Sequence, residues 1–203
     1  MTTTYQISGG VTPEMFNEYL TTVGQFPNVL SPQECARLIN LPLPASEALI
    51  STRDIAPEPE AGRLDYDYRR TRIKPIPPDP ANTWIFQRLR RLAEQVNREA
   101  YHFQLSDDMS LDVLEYGVEG FFDWHVDIGG GLFSTRKLTL VTALTPPDAY
   151  AGGDLHFADR GPPLRPQQGT TAIFPSYLLH KVDPVTHGMR HTLVAWIHGP
   201  AFT

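Results

Sequence analysis

The feature that most constrains the fold of this chain is a change of pattern at Ser106. Beyond it the sequence breaks into short runs of β-branched and aromatic residues divided by glycine, at 110–116, 121–127, 137–144, 154–157, 170–174 and 191–198. So many short strands in succession predict an all-β core. Before Ser106 the periodicity is helical. Thr12-Pro13 and Ser31-Pro32 each place proline where a helix starts; the first leads to Met15, Phe16, Tyr19 and Leu20, the second to Cys35, Leu38 and Ile39. A longer helix is predicted from about Ala81 to Tyr101, with Trp84, Ile85, Leu89, Leu92, Ala93 and Val96 on one stripe. The expected class is therefore mainly β with packed helices. A double-sheet jelly roll over 108–198 carries the N-terminal helices of 1–107 on its outside. At 203 residues this is expected to be a single domain with one sizeable core.

Composition narrows the function classes. A formal net charge of −6 argues against a protein held on nucleic acid or an anionic membrane by bulk electrostatics. The single cysteine, Cys35, excludes an internal disulfide framework; inside an apolar helical stripe it reads as a buried thiol and fits a reducing, cytoplasmic setting. The N-terminus has no basic region followed by an apolar stretch, and no segment approaches membrane-spanning length, so a soluble, unprocessed chain is expected. The 19 prolines gather in loops such as 75–80, 146–147 and 162–166, where they end elements.

The chemistry lies in Phe121-Phe122-Asp123-Trp124-His125-Val126-Asp127 and in His180. Residues two apart on a strand face the same way, so His125 and Asp127 can reach one ion, and a histidine from a distant strand would complete the set. Two imidazoles and one carboxylate on one face of an octahedron are the facial triad of non-haem Fe(II) oxygenases, which leaves positions open for chemistry. Arg190 follows on the same C-terminal stretch as His180 and can receive the distal carboxylate of a 2-oxo acid through bidentate hydrogen bonds.

These motifs together resemble the Fe(II)/2-oxoglutarate-dependent oxygenases, specifically their prolyl-4-hydroxylase-like branch. The resemblance rests on Tyr116-Gly117-x-x-Gly120-x-x-x-x-His125-x-Asp127, Lys137-x-Thr139-Leu140, Tyr150-x-Gly152-Gly153-Asp154-Leu155, Gly169 to Pro175, and His180-x-Val182-x-Pro184-Val185-x-x-Gly188-x-Arg190 ending in Trp196. It covers roughly 108–198, and Phe26 to Cys35 is similar to the family's helical entry segment. The resemblance implies a double-stranded β-helix core, Fe(II) held by His125, Asp127 and His180, and 2-oxoglutarate held by Arg190. Tyr116, Thr192 and Leu155 are implied as further cosubstrate contacts, and Trp196 as an aromatic near the metal. The implied reaction consumes dioxygen and 2-oxoglutarate, releases succinate and carbon dioxide, and hydroxylates an unactivated C–H bond. Asp127 at the carboxylate position favours hydroxylation over halogenation, because a halogenase of this superfamily has a non-coordinating residue there.

Other features have plainer readings. His102, His156, His187, His191 and His198 are expected to be structural. Segment 64–76 is expected to form an edge strand over the mouth of the sandwich; its Arg69, Arg70 and Arg72 read equally as a site for a substrate carboxylate or backbone and as a solvated edge. The stretch 128–135 (IGGGLFST) is expected to be a mobile flap. Trp124, opposite in parity to His125, is expected in the core. Arg88, Arg90, Arg91 and Arg98, interleaved with leucines and near Glu94 and Glu99, read as the solvated face of a packing helix. Trp196 stands where related nucleic-acid demethylases carry a second arginine, which counts against nucleic acid as substrate.

The leading reading is a small hydroxylase acting on a free amino acid, a peptidyl residue or a related small metabolite, with no membrane partner and an open oligomeric state. The competing reading is a non-catalytic, cupin-like metal-binding or sensor module; it requires no 2-oxo acid pocket, so Arg190 and Tyr116 disfavour it.

Overall fold

The structure is a computed structural model and describes residues 17–50 and 62–202. Its strands, in chain order, are β1 (Gly24–Phe26), β2 (Ser46–Glu47), β3 (Arg69–Arg70), β4 (Arg72–Pro75), β5 (Met109–Tyr116), β6 (Phe121–His125), β7 (Arg136–Ala143), β8 (Tyr150–Gly152), β9 (Leu155–Phe157), β10 (Thr171–Pro175), β11 (His180–Val182), β12 (Val185–Gly188) and β13 (Arg190–His198). They build a seven-stranded sheet in the order β1-β10-β7-β13-β5-β4-β2, a four-stranded sheet β3-β6-β11-β9, and a small β12-β8 pair. All the strand pairs are antiparallel.

Period-two alternation sorts the large sheet's side chains into two cores. Leu111, Val113, Leu138, Leu140, Leu193, Ala195 and Ile197 face the helices, where they pack with Ile85, Leu89, Ala93 and Val96. Leu114, Tyr116, Val141, Val194 and Trp196 face the small sheet. The second face holds the site, so the first can be sealed by helices without obstructing it.

Helix α1 (Pro32–Ile39) starts as its sequence predicts. The Ser31 hydroxyl accepts from the Glu34 amide while the Glu34 carboxylate accepts from the Ser31 amide. Helix α2 (Thr83–Val96) passes directly into a π-helical turn, Asn97–Tyr101, closed by His102 in the left-handed region at φ 57°. Arg88 pairs with Glu34 at 2.7 Å and Arg90 with the Ser106 carbonyl at 3.0 Å, so these helix arginines serve packing contacts. Cys35 is buried, and burial pushes its thiol up to about 11, the state of an inert structural cysteine. No helix among the described residues is long and apolar enough to cross a membrane.

The helix expected at Thr12-Pro13 lies mostly outside the described residues; its described end, at 18–21, is a turn. Segment 64–76 differs from a single edge strand. Its first part, β3, borders β6 in the small sheet, whereas β4 enters the large sheet between β5 and β2. The buried Thr71 sits at the crossing, and its hydroxyl bonds the Phe121 carbonyl. The glycine-rich stretch 128–135 ends in a 3₁₀ turn, Gly131–Thr135.

Candidate active site

Strand register assembles the metal-ligand set. His180 on β11 is the direct cross-strand partner of His125 on β6, and their rings lie 4.1 Å apart. Asp127, just past β6, is tied down by its amide, which donates to the Ser176 carbonyl at 2.9 Å. The ligand atoms of His125, Asp127 and His180 all lie within 4.8 Å of one another. His125 Nε2 is 3.8 Å from one Asp127 oxygen, and His180 Nε2 is 3.7 Å from the other.

The surroundings select the ligand form of each group. Each imidazole has Nδ1 beside the carbonyl two residues back, His125 on Asp123 at 2.7 Å and His180 on Leu178 at 2.8 Å. A carbonyl only accepts, so both Nδ1 atoms carry the proton and both Nε2 lone pairs are turned toward Asp127. Burial, reinforced by the neighbouring His180, pushes His125 down to about 3, so it is neutral across the physiological range. Burial alone would raise Asp127, but His180, His125, Arg136 and a 2.7 Å hydrogen bond from the Thr139 hydroxyl hold it below the usual carboxylate range. Two imidazoles anchored through Nδ1 and one carboxylate, each backed by a hydrogen bond, suit a divalent transition metal such as Fe(II).

A second group of donors lies deeper. Arg190 on β13 is the cross-strand partner of Tyr116 on β5, and its guanidinium carbon lies 5.0 Å from that ring's centre. Arg190, Thr192 and Tyr116 are all buried, yet Arg190 Nη1 and the Thr192 hydroxyl have no partner among the described residues. Buried donors without acceptors are costly, and a carboxylate placed between them would satisfy both. Gly153 makes room for the arginine. It sits at φ +67°, and a Cβ there would meet Arg190 Cδ at 2.9 Å. Leu155 lines the same cavity of about 710 Å³, which runs from Arg190 past the metal-ligand set to the surface at Trp124 and Phe133.

Residues 111–198 match the sequence pattern of the 2OG-Fe(II) oxygenase superfamily, a stretch that contains His125, Asp127, His180 and Arg190. A "PKHD-type hydroxylase" of Synechococcus sp. (strain CC9311) is 37% identical over 81 residues, 39% of this chain and 37% of that protein. Another, of Hyphomonas neptunium, is 37% identical over 79 residues, 36% of this chain and 35% of that protein. The chain thus matches little more than a third of the length of these relatives. In three dimensions it is similar to a prolyl-4-hydroxylase of Pseudomonas putida, with TM-score 0.66 and 19% identity over 89% of this chain and 94% of that one. The viral collagen prolyl hydroxylase of Paramecium Bursaria Chlorella virus-1 gives TM-score 0.62 and 18% identity over 88% and 96%. These likenesses establish the jelly-roll fold.

Several cavity residues have roles that the motifs alone do not give. Thr139 anchors Asp127 and also contacts the Ser176 hydroxyl at 3.0 Å; its parity with Val141 on a buried strand is the signal that points it inward. Arg136 lies between the rings of Phe133 and Trp196, at 4.5 Å and 4.0 Å from their centres, and donates to the Asp127 carbonyl at 3.2 Å. Trp196 faces the cavity, as the resemblance implies. Trp124 corrects an expectation. It is 39% exposed at the cavity mouth, with the Lys181 ammonium 5.3 Å from its ring, because no layer among the described residues covers the outer face of the small sheet. The arginines of 69–72 divide. Arg70 pairs with exposed Glu119 and Arg72 with Glu115, whereas Arg69 turns into the cavity over the Phe122 ring at 4.2 Å.

Proposed function

We propose that this protein is an Fe(II)- and 2-oxoglutarate-dependent dioxygenase that hydroxylates an unactivated C–H bond of an amino acid, a peptidyl residue or a related small metabolite. The observation that carries the reading is the pairing, in one cavity, of the His125–Asp127–His180 cluster with the unpartnered donors of Arg190 and Thr192. His125, Asp127 and His180 would hold the iron, with Thr139 fixing the carboxylate and two backbone carbonyls fixing the imidazole tautomers. Arg190 would take the distal carboxylate of 2-oxoglutarate, with the Thr192 and Tyr116 hydroxyls beside it and Leu155 as an apolar wall. When bound, the iron and its cosubstrate supply the oxidation: dioxygen and 2-oxoglutarate are consumed, one oxygen atom enters the substrate C–H bond, and succinate and carbon dioxide leave.

The chain's own contribution is placement and exclusion of water. Phe122 stacks on His125 at 3.4 Å, and Phe174 and Phe157 flank His180 at 4.9 Å and 5.8 Å. These rings shield the ligands on the protein side and leave the approach along Trp124, Val126 and Phe133 as the substrate's entrance. The names of the relatives, PKHD-type hydroxylases and prolyl hydroxylases, support a hydroxylation outcome and an amino-acid or peptidyl target. Protein loaded with Fe(II) under argon and then exposed to air with 2-oxoglutarate and candidate substrates should release succinate, and His125→Ala and Arg190→Ala should release none. Succinate release by His125→Ala equal to that of the unaltered protein would refute the assignment.

A further inference from the structure

Arg69 is the cavity's unexplained charge. None of its guanidinium nitrogens bonds a described residue, and Nε is sealed from solvent with no partner. An isolated buried cation is expensive, and folds keep one only where an anion joins it. The neighbouring charges do not fill that role. The Arg190 donors belong to the cosubstrate end. Arg136 is a second cation, already engaged with the Asp127 carbonyl and two aromatic rings. Among the described residues the acids lining the cavity are Asp127, which belongs to the metal-ligand set, and Asp112 on β5; both favour the Arg69 cation from a distance, but no ion pair joins either to it. Iron at the ligand cluster would add further positive charge, and 2-oxoglutarate carries no more negative charge than the metal and Arg190 absorb. The cavity is therefore left cationic on the side where Arg69 stands.

Its position is suited to a substrate. β3 pairs with β6 so that Arg69 lies opposite Phe122, the ring that also stacks on His125. The guanidinium thus sits beside the metal-ligand set, on the ring that packs against His125. It is held there by the chain's crossing between the two sheets at Thr71.

Resting on the oxygenase reading above, we propose that Arg69 is a specificity-determining residue that binds a carboxylate carried by the primary substrate. That carboxylate is either the main-chain carboxylate of a free amino acid or the side chain of an acidic residue in a peptide; the two sources separate experimentally. Calorimetric titration of protein loaded with Mn(II) and 2-oxoglutarate under argon would use two probe series. One compares N-acetyl amino acids with their carboxamides, and the other compares short peptide amides containing Asp or Glu with their Asn or Gln counterparts. In at least one series the acid should bind about tenfold or more tightly than its neutral match, the worth of a charge-assisted pair. Arg69→Gln should abolish that preference, Arg69→Lys should keep part of it, and Arg70→Gln should leave it intact.

A measurement without any ligand guards against a misfolded variant. Arg69→Met keeps the packing on Phe122 and removes the half-buried charge, so the melting temperature of the metal-free protein should hold or rise. Equal binding of acids and amides in both series, persistence of the preference in Arg69→Gln, or a marked fall in melting temperature for Arg69→Met would each overturn the proposal. Binding of Mn(II) and 2-oxoglutarate in the same titrations tests the oxygenase reading separately. Loss of that binding counts against the oxygenase reading, whereas intact binding with no acid preference counts against Arg69 alone.

Discussion

Replacing Arg190 by glutamine isolates the cosubstrate end of the cavity. Arg190 is only 5% exposed, one of its guanidinium nitrogens has no partner among the described residues, and it lies directly across the sheet from Tyr116. In the bound state, removing it would leave a buried carboxylate facing neutral hydroxyls. Breaking a buried charge pair in this way costs about 3–5 kcal/mol, which corresponds to roughly a 150- to 5,000-fold loss of affinity. Arg190→Lys keeps the charge but not the planar fork, so its loss should fall below that range. Titration of 2-oxoglutarate into Mn(II)-loaded protein under argon measures the dissociation constant directly, and Mn(II) affinity in the same samples shows whether the ligand set is intact. The reasoning fails if Arg190→Gln binds 2-oxoglutarate within about threefold of the unaltered protein while holding the metal normally.

Three further outcomes follow from particular contacts. Thr139→Val removes the hydroxyl that donates to Asp127 and should weaken Mn(II) binding by about 10- to 100-fold, measured by competition with a chelator. Gly153→Ala forces a left-handed alanine against Arg190 and should lower stability by about 1–2 kcal/mol in denaturant unfolding while also weakening 2-oxoglutarate binding. His125, pushed by burial from its ordinary value near 6.5 down to about 3, stays neutral where the unfolded chain takes up a proton. The metal-free protein should therefore lose stability as pH falls from about 6.5 toward 3, by up to about 1.4 kcal/mol per pH unit from this group, and His125→Gln should flatten the slope in unfolding curves.

Much of the site is legible in the sequence because strand geometry is simple. His125 and Asp127 share a face through the two-residue period, and the sheet-switching order of a jelly roll brings His180 back opposite His125. Arg190 and Thr192 share a face by the same parity. Helix α1 carries its own start signal, as the reciprocal Ser31–Glu34 bonds show, whereas α2 is legible through its apolar stripe. What escaped depends on which faces are covered. Trp124 has the parity of a core residue, but the outer face of β6 meets solvent. Arg69 looks like part of a charged edge, and only the crossing of its segment between sheets turns it inward. Strands of two or three residues, such as β2, β8 and β11, are too short to show a period at all.

In the proposed function, one cavity holds Fe(II) through His125, Asp127 and His180 and 2-oxoglutarate through Arg190. Titration of 2-oxoglutarate into the Fe(II)-loaded protein under argon, followed by visible charge-transfer absorption, tests it most directly. The account predicts an absorption band that saturates at one equivalent of each component, is absent in His125→Ala, and needs far higher 2-oxoglutarate in Arg190→Gln. A band that survives in His125→Ala, or no interaction of the unaltered protein with either component, would contradict it.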